Sequence, residues 1–106
     1  MTEDRLPDIV QRLSEEKPQV WDAYNALGKA LAEAGPLDAR TERLIKLAMA
    51  IGAGLEGAVR SHARRGHKAG LTREELQHAA LLGATTLGWP RAVAGLSWIE
   101  EELAKV

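Results

Sequence analysis

His62 is the residue of this sequence with the widest chemical reach. An imidazole changes charge near neutrality, so it can give or take a proton. It follows a stretch broken by Gly52, Gly54 and Gly57, where a pocket can open beside a helix. A half-buried histidine bonded to backbone is the competing expectation. His67 stands five residues further on. That is about 140° around a helix, so the two rings do not share a face and make a poor metal pair. His78 lies on a later segment, and no HExxH or comparable spacing joins the three. Surface positions are expected for His67 and His78, and the sequence calls for no metal and no cofactor.

Arg60, Arg64 and Lys68 form a basic stripe with Arg65 beside it. A solvated helix face is the expected role, although Arg60 is also a candidate anchor for a small carboxylate or phosphate. Glu42 would be a carboxylate base if it faced inward. Its spacing from Lys46 favours an ordinary helix salt bridge instead. Trp21, Trp89 and Trp98 are expected in core packing, with a pocket wall or subunit contact as the alternative.

Cysteine is absent from all 106 residues. No disulfide, thiolate nucleophile, iron–sulfur cluster or cysteine zinc site can therefore form. Thiol peroxidase chemistry and dithiol exchange are beyond this polypeptide alone, because both need an attacking thiolate.

The elements that would position these groups read as helices throughout. Phe is absent, Tyr occurs once, and Ala and Leu are abundant. A short first helix is expected from Pro7 to Glu16, and Pro18 opens a second. Val20, Tyr24, Leu27, Leu31 and Ala34 form its amphipathic stripe, and Gly35-Pro36 ends it. Asp38 is a good N-cap for the third. That helix is apolar around most of its circumference, from Leu44 to Ile51, so it should be enclosed on several sides. In so small a chain, full enclosure calls for a second subunit. A fourth helix runs to Ala69, and Gly70 closes it. Thr72 with Glu75 makes a capping box, and Leu71 with Leu76 a hydrophobic staple, at the start of a fifth helix reaching Leu87. Gly83 within it suggests a close helix–helix approach. Gly88 stops it and Pro90 opens a sixth, with Ala92, Leu96, Ile99 and Leu103 on its buried face. The expected architecture is an all-α single domain over residues 1–106, a bundle of about six helices.

Fourteen basic and 15 acidic residues leave a net charge of -1. No whole-molecule attraction to nucleic acid or anionic lipid follows, and neither is expected as a partner. Lys68 to Gly83 superficially resembles a helix-turn-helix, but its second helix carries Glu74, Glu75 and many apolar residues. Met1 to Pro7 shows no leader-type apolar run, and Leu47 to Leu55 is too short for a bilayer. A cytoplasmic location is the default expectation.

Three segments in order carry a family resemblance: LDARTERLIKLAMAIGAG, GAVRSHARRG and KAGLTREELQHAALLGATTLGWP. The chain from Leu37 through Pro90 resembles the carboxymuconolactone decarboxylase family, which includes alkyl hydroperoxidase D-like proteins. The resemblance implies a small all-helical protein assembling as a homo-trimer or homo-hexamer. Redox members of that family carry Cys-x-x-Cys-x-x-x-His at a helix start and a glutamate on the preceding helix. Aligned without gaps, His62 matches the family histidine, while Leu55 and Ala58 stand at the cysteine positions. The glutamate position falls on Arg43, with Glu42 one residue early.

The lactone decarboxylase branch does not depend on the cysteine pair. The resemblance therefore implies a cofactor-independent lyase acting on a small organic acid or lactone. In it His62 would transfer a proton and the Arg60 region would anchor a carboxylate. The alternative is a non-catalytic oligomer that binds a small ligand or partner through the same pocket.

Overall fold

The computed structural model describes residues 7–105. The stretch Met1 to Leu6, where the sequence reading finds no leader, lies outside the described residues. The described chain is all-α and divides into two compact units at the Leu37–Asp38 step.

The first unit holds α1 (Asp8–Glu16) and α2 (Pro18–Ala32). Pro7 precedes α1 and Pro18 occupies the first turn of α2, where a missing N–H costs nothing. Lys17 joins the two, donating to the Leu13 carbonyl and accepting from Trp21. Trp21 stacks on Tyr24 with ring centroids 6.2 Å apart. The amphipathic stripe of α2 forms as its spacing requires. Yet Val20, Tyr24, Leu27 and Leu31 are all exposed, and neither helix contributes a buried residue.

The second unit holds α3 (Ala39–Ala53), α4 (Glu56–Lys68), α5 (Arg73–Leu82), a single turn α6 (Ala84–Leu87) and α7 (Trp89–Leu103). Asp38 caps α3 by accepting from the Thr41 N–H at 2.7 Å. Gly54, at φ 71°, closes it in the left-handed region where a side chain is strained. Gly70, at φ 107°, turns the chain after α4. The capping box is complete: the Glu75 N–H donates to Thr72 Oγ1 at 3.0 Å, and the Thr72 N–H donates to Glu75 at 2.8 Å. Leu71 and Leu76 are both buried, as a staple across that cap requires.

The core draws Leu47 and Ile51 from α3, Val59 and Ala63 from α4, Leu76 and Ala80 from α5, and Ile99 from α7. α4 is sandwiched between α3 and α7. α7 comes close to α3 at Gly95, where an added Cβ would stand 2.8 Å from Cγ2 of the buried Ile51. Only Leu47, Ala50 and Ile51 of α3 are buried, while Met49 is 67% exposed, so the expected all-round enclosure is absent from the single chain.

Two expectations need correction. The fifth helix is not continuous to Leu87. At Gly83 the backbone tightens to bonds of three-residue span, with the Gly83 N–H on the Ala80 carbonyl and the Thr86 N–H on the Gly83 carbonyl. What crowds Gly83 is the Leu87 side chain, one turn on, together with the Ala80 carbonyl, not a facing helix. Of the three tryptophans, Trp98 packs against the core but Trp89 is 63% exposed. Its place ahead of Pro90 puts it on the outer turn of α7.

Candidate functional site

His62 lies on the face of α4 that meets α3 and is half-buried. Its nearest polar partner is Arg43 of α3, whose Nη1 is 2.8 Å from His62 Nδ1. Gly66, one helical turn beyond His62, makes this possible. A Cβ there would lie 3.1 Å from Arg43 Cγ, so the missing side chain is the channel along which arginine crosses α4. A guanidinium has donors only and stays charged, so it donates and the imidazole nitrogen accepts. The ring proton must then sit on Nε2.

The His62 pKa is lowered from 6.5 to about 4. Burial is the largest cause, followed by the positive charges of Arg65, Arg43 and Lys46. At pH 7 only about one ring in a thousand is charged. His62 therefore presents a neutral ring with an N–H at Nε2.

Glu42 and Arg60 are not brought to this ring. Glu42 precedes Arg43 in the first turn of α3, and no ion pair with Lys46 forms. An exposed pair at that spacing yields only about 0.3–0.5 kcal/mol, too little to hold two flexible side chains. Arg60 does not form a free solvated stripe with Arg64. It meets Glu101 at 2.7 Å and Glu56 at 3.0 Å, with Glu102 at 3.6 Å. Arg64 meets Glu102 at 2.9 Å. These contacts clamp α4 to α7, and Arg43 is the arginine that reaches His62.

The residues at the family cysteine positions carry no chemistry of their own. Leu55 is exposed at the α4 N-terminus, and Ala58 packs against the core. His67 donates from Nδ1 to the Leu71 carbonyl at 3.1 Å, which ties the turn after α4. His78 is exposed on α5. Among the described residues no three His, Cys, Asp or Glu side chains converge as a metal set would. No helix among them is long and apolar enough to cross a membrane.

A separate groove of about 590 Å³ runs between α3, α5 and α6. Leu44, Ile45, Ala48, Leu82 and Leu87 form most of its wall, with Thr41, Glu75, His78 and Thr86 as polar points. His62 is not among its lining residues. Sequence reasoning missed the arginine–histidine pair. The signal was present in the ungapped match, which set Arg43 where a residue facing the histidine belongs, and in Gly66 sharing the His62 face at a spacing of four.

The profile of the carboxymuconolactone decarboxylase family matches residues 18–101. A crystal structure of an apo carboxymuconolactone decarboxylase family protein from Legionella pneumophila superposes with a TM-score of 0.74 at 27% identity, covering 88% of this chain and 86% of that one. A Burkholderia xenovorans protein, provisionally named a carboxymuconolactone decarboxylase, superposes with a TM-score of 0.65 at 28% identity, covering 94% and 84%. An uncharacterized Haemophilus influenzae protein is 43% identical over 51 residues, 48% of this chain and 45% of its own length. The match thus spans less than half of that curated relative. With its fold and most of its length matched, this cysteine-free chain belongs to the carboxymuconolactone decarboxylase family.

Proposed function

We propose that the chain is a thiol-independent, cofactor-independent lyase of the carboxymuconolactone decarboxylase type, acting on a small organic acid or lactone. His62 is the group that meets substrate charge during proton transfer. The observation that supports this reading is the Arg43–His62 pair, a half-buried polar contact in a cationic setting, within a chain that has no sulfur nucleophile. Loss of a carboxylate as CO2 from a carbon beside a carbonyl leaves its electron pair delocalised onto oxygen as an enolate, which then takes a proton from water. A donor fixed toward that oxygen lowers the barrier because its dipole is already oriented.

The active form in this proposal is a homo-trimer or homo-hexamer in the cytoplasm. Exposed Ile45 and Met49 on α3, Leu81 and Leu82 on α5, and Trp89 and Val93 on α7 supply apolar surface for subunit contact. The test is His62→Ala assayed against a panel of small lactones and carboxylic acids, with the mass in solution measured alongside. Turnover is expected to fall by about 10²-fold or more with the oligomer intact. Turnover equal to the parent removes His62 from the reaction.

A second reading is supported by the groove. Its largely apolar wall suits retention of a small apolar ligand in a non-catalytic oligomer. It predicts ligand retention that is indifferent to His62→Ala and lost in Leu44→Glu.

A further inference from the structure

We infer that Arg43 is a positioning residue that fixes His62 as an uncharged hydrogen-bond donor, so that the ring meets an anionic substrate oxygen through Nε2–H and never through a gained proton. This deepens the proposed function and rests on it for the presence of a substrate. The state of the ring stands on the Arg43 contact and on the burial and like charges around it, and can be tested alone.

The neutral imidazole has one lone pair available in the ring plane. Arg43 Nη1, at 2.8 Å, uses it. Nε2 must then carry the hydrogen, so the ring has no free acceptor with which to act as a base. It is equally unsuited to becoming an imidazolium, since a second proton would face a guanidinium at contact distance. The other charges bearing on the ring have the same sign: Arg65 from its own helix and Lys46 from α3. Glu42 of α3 makes no ion pair among the described residues and is not among the charges that act on the ring, and the carboxylates of α7 and Glu75 of α5 are engaged elsewhere. Glu101 and Glu102 of α7 hold Arg60 and Arg64. Glu100 of α7 holds Arg73, and Glu75 of α5 holds Arg40. What remains at His62 is one oriented N–H inside a positive field. That arrangement attracts carboxylate or enolate oxygen and needs no protonation to do so.

The experiment is long-range proton–nitrogen NMR on the full chain carrying ¹⁵N-labelled histidine, with His62→Gln assigning the resonances. The expected parent spectrum shows an unprotonated Nδ1 and a protonated Nε2, unchanged from about pH 8 down to about pH 5. An Nδ1–H ring, or a ring that gains its proton between about pH 6 and 7, overturns the inference. Arg43→Met should raise the His62 pKa by about one unit, because burial and Arg65 persist. Arg43→Glu should raise it further and move the neutral ring's proton to Nδ1. A ring indifferent to both folded variants overturns the role of Arg43, and if neither variant folds, the parent spectrum alone decides. Succinate is the anion probe. Saturable movement of the Nε2–H resonance supports the anion part, and no movement at high millimolar succinate overturns it. Should His62→Ala leave turnover undiminished while the parent ring behaves as stated, the catalytic reading falls and the ring assignment survives.

Discussion

Replacing Glu102 by methionine tests what holds the His62 helix in place. Glu102 is the one charged residue buried among the described residues, with its side chain 7% exposed. One carboxylate oxygen takes Arg64 at 2.9 Å, and the other takes Lys105 at 3.1 Å, with Arg60 at 3.6 Å. At an effective dielectric near 20, each such pair attracts by about 4–5 kcal/mol before desolvation. Desolvating a carboxylate and a guanidinium costs several kcal/mol each, so the net worth of the cluster is small. Removing one partner is a different matter. Glu102→Met leaves Arg64 without its carboxylate, and the buried Arg64 Nε already lacks a partner. That single change should cost about 3 kcal/mol. Arg60 keeps Glu101 and Glu56, and the exposed Lys105 returns to water, so neither adds much. The double variant Glu102→Met, Arg64→Met replaces the pair by two apolar chains of similar size and should return to within about 1 kcal/mol of the parent. Urea unfolding followed by circular dichroism reads both, with the single variant's midpoint lower by about 2 M or more for a chain of this size. Costs that simply add, or a single variant within about 0.5 kcal/mol of the parent, would refute the clamp.

Two further substitutions test the frame around the site. Gly95→Ala forces a methyl against Ile51 Cγ2 and Cγ1, and overpacking of about 1–3 kcal/mol outweighs the helix propensity gained, about 1 kcal/mol. Measured in an Ile51→Ala background, which carries its own cavity cost, the penalty of Gly95→Ala should vanish, and a stabilised Gly95→Ala variant of the parent in thermal melts would contradict that packing. Thr72→Ala removes the Oγ1 acceptor of the capping box and should cost about 1 kcal/mol, read as a melting point lower by about 5 °C. An unchanged melt would mean that the Glu75–Arg40 contact alone secures the start of α5.

Local signals were legible in the sequence because their physics is local. Asp38, Gly70 and the Thr72–Glu75 box act over three or four residues, and each stands where its chemistry demands. The buried face of α7 was equally legible, since helical spacing alone aligns Ala92, Ile99 and Leu103. The break at Gly83 was not, because glycine is compatible with helix and only the Leu87 side chain shows which bonds shorten. Glu100, Glu101 and Glu102 illustrate the harder limit. As a run they read as a solvated acidic end, yet successive helix positions point about 100° apart. Glu100 therefore reaches Arg73 on α5, Glu101 reaches Arg60, and Glu102 turns inward to Arg64. Charge in sequence gives composition, and only the packing of α4 and α5 on α7 sorts it into partners. The Arg43–His62 contact joins residues 19 apart for the same reason.

The absence of thiols and the arginine beside the histidine belong to one chemical argument. In the redox pattern that the chain resembles, a histidine stands near two thiols with a glutamate on the preceding helix. A carboxylate beside an imidazole favours the charged ring and strengthens it as a base, which is useful where a thiol must lose its proton. This chain has Leu55 and Ala58 in place of the thiols, so a strong base at His62 has no proton of that kind to take. Arg43 in the glutamate's place reverses the electrostatics: it occupies Nδ1 and leaves a donor at Nε2, and its charge adds to burial and Arg65 in keeping the ring neutral. Restoring the two cysteines alone would not recover thiol chemistry through this histidine. Arg43 would still hold its lone pair, and the ring would remain a donor facing groups that need an acceptor.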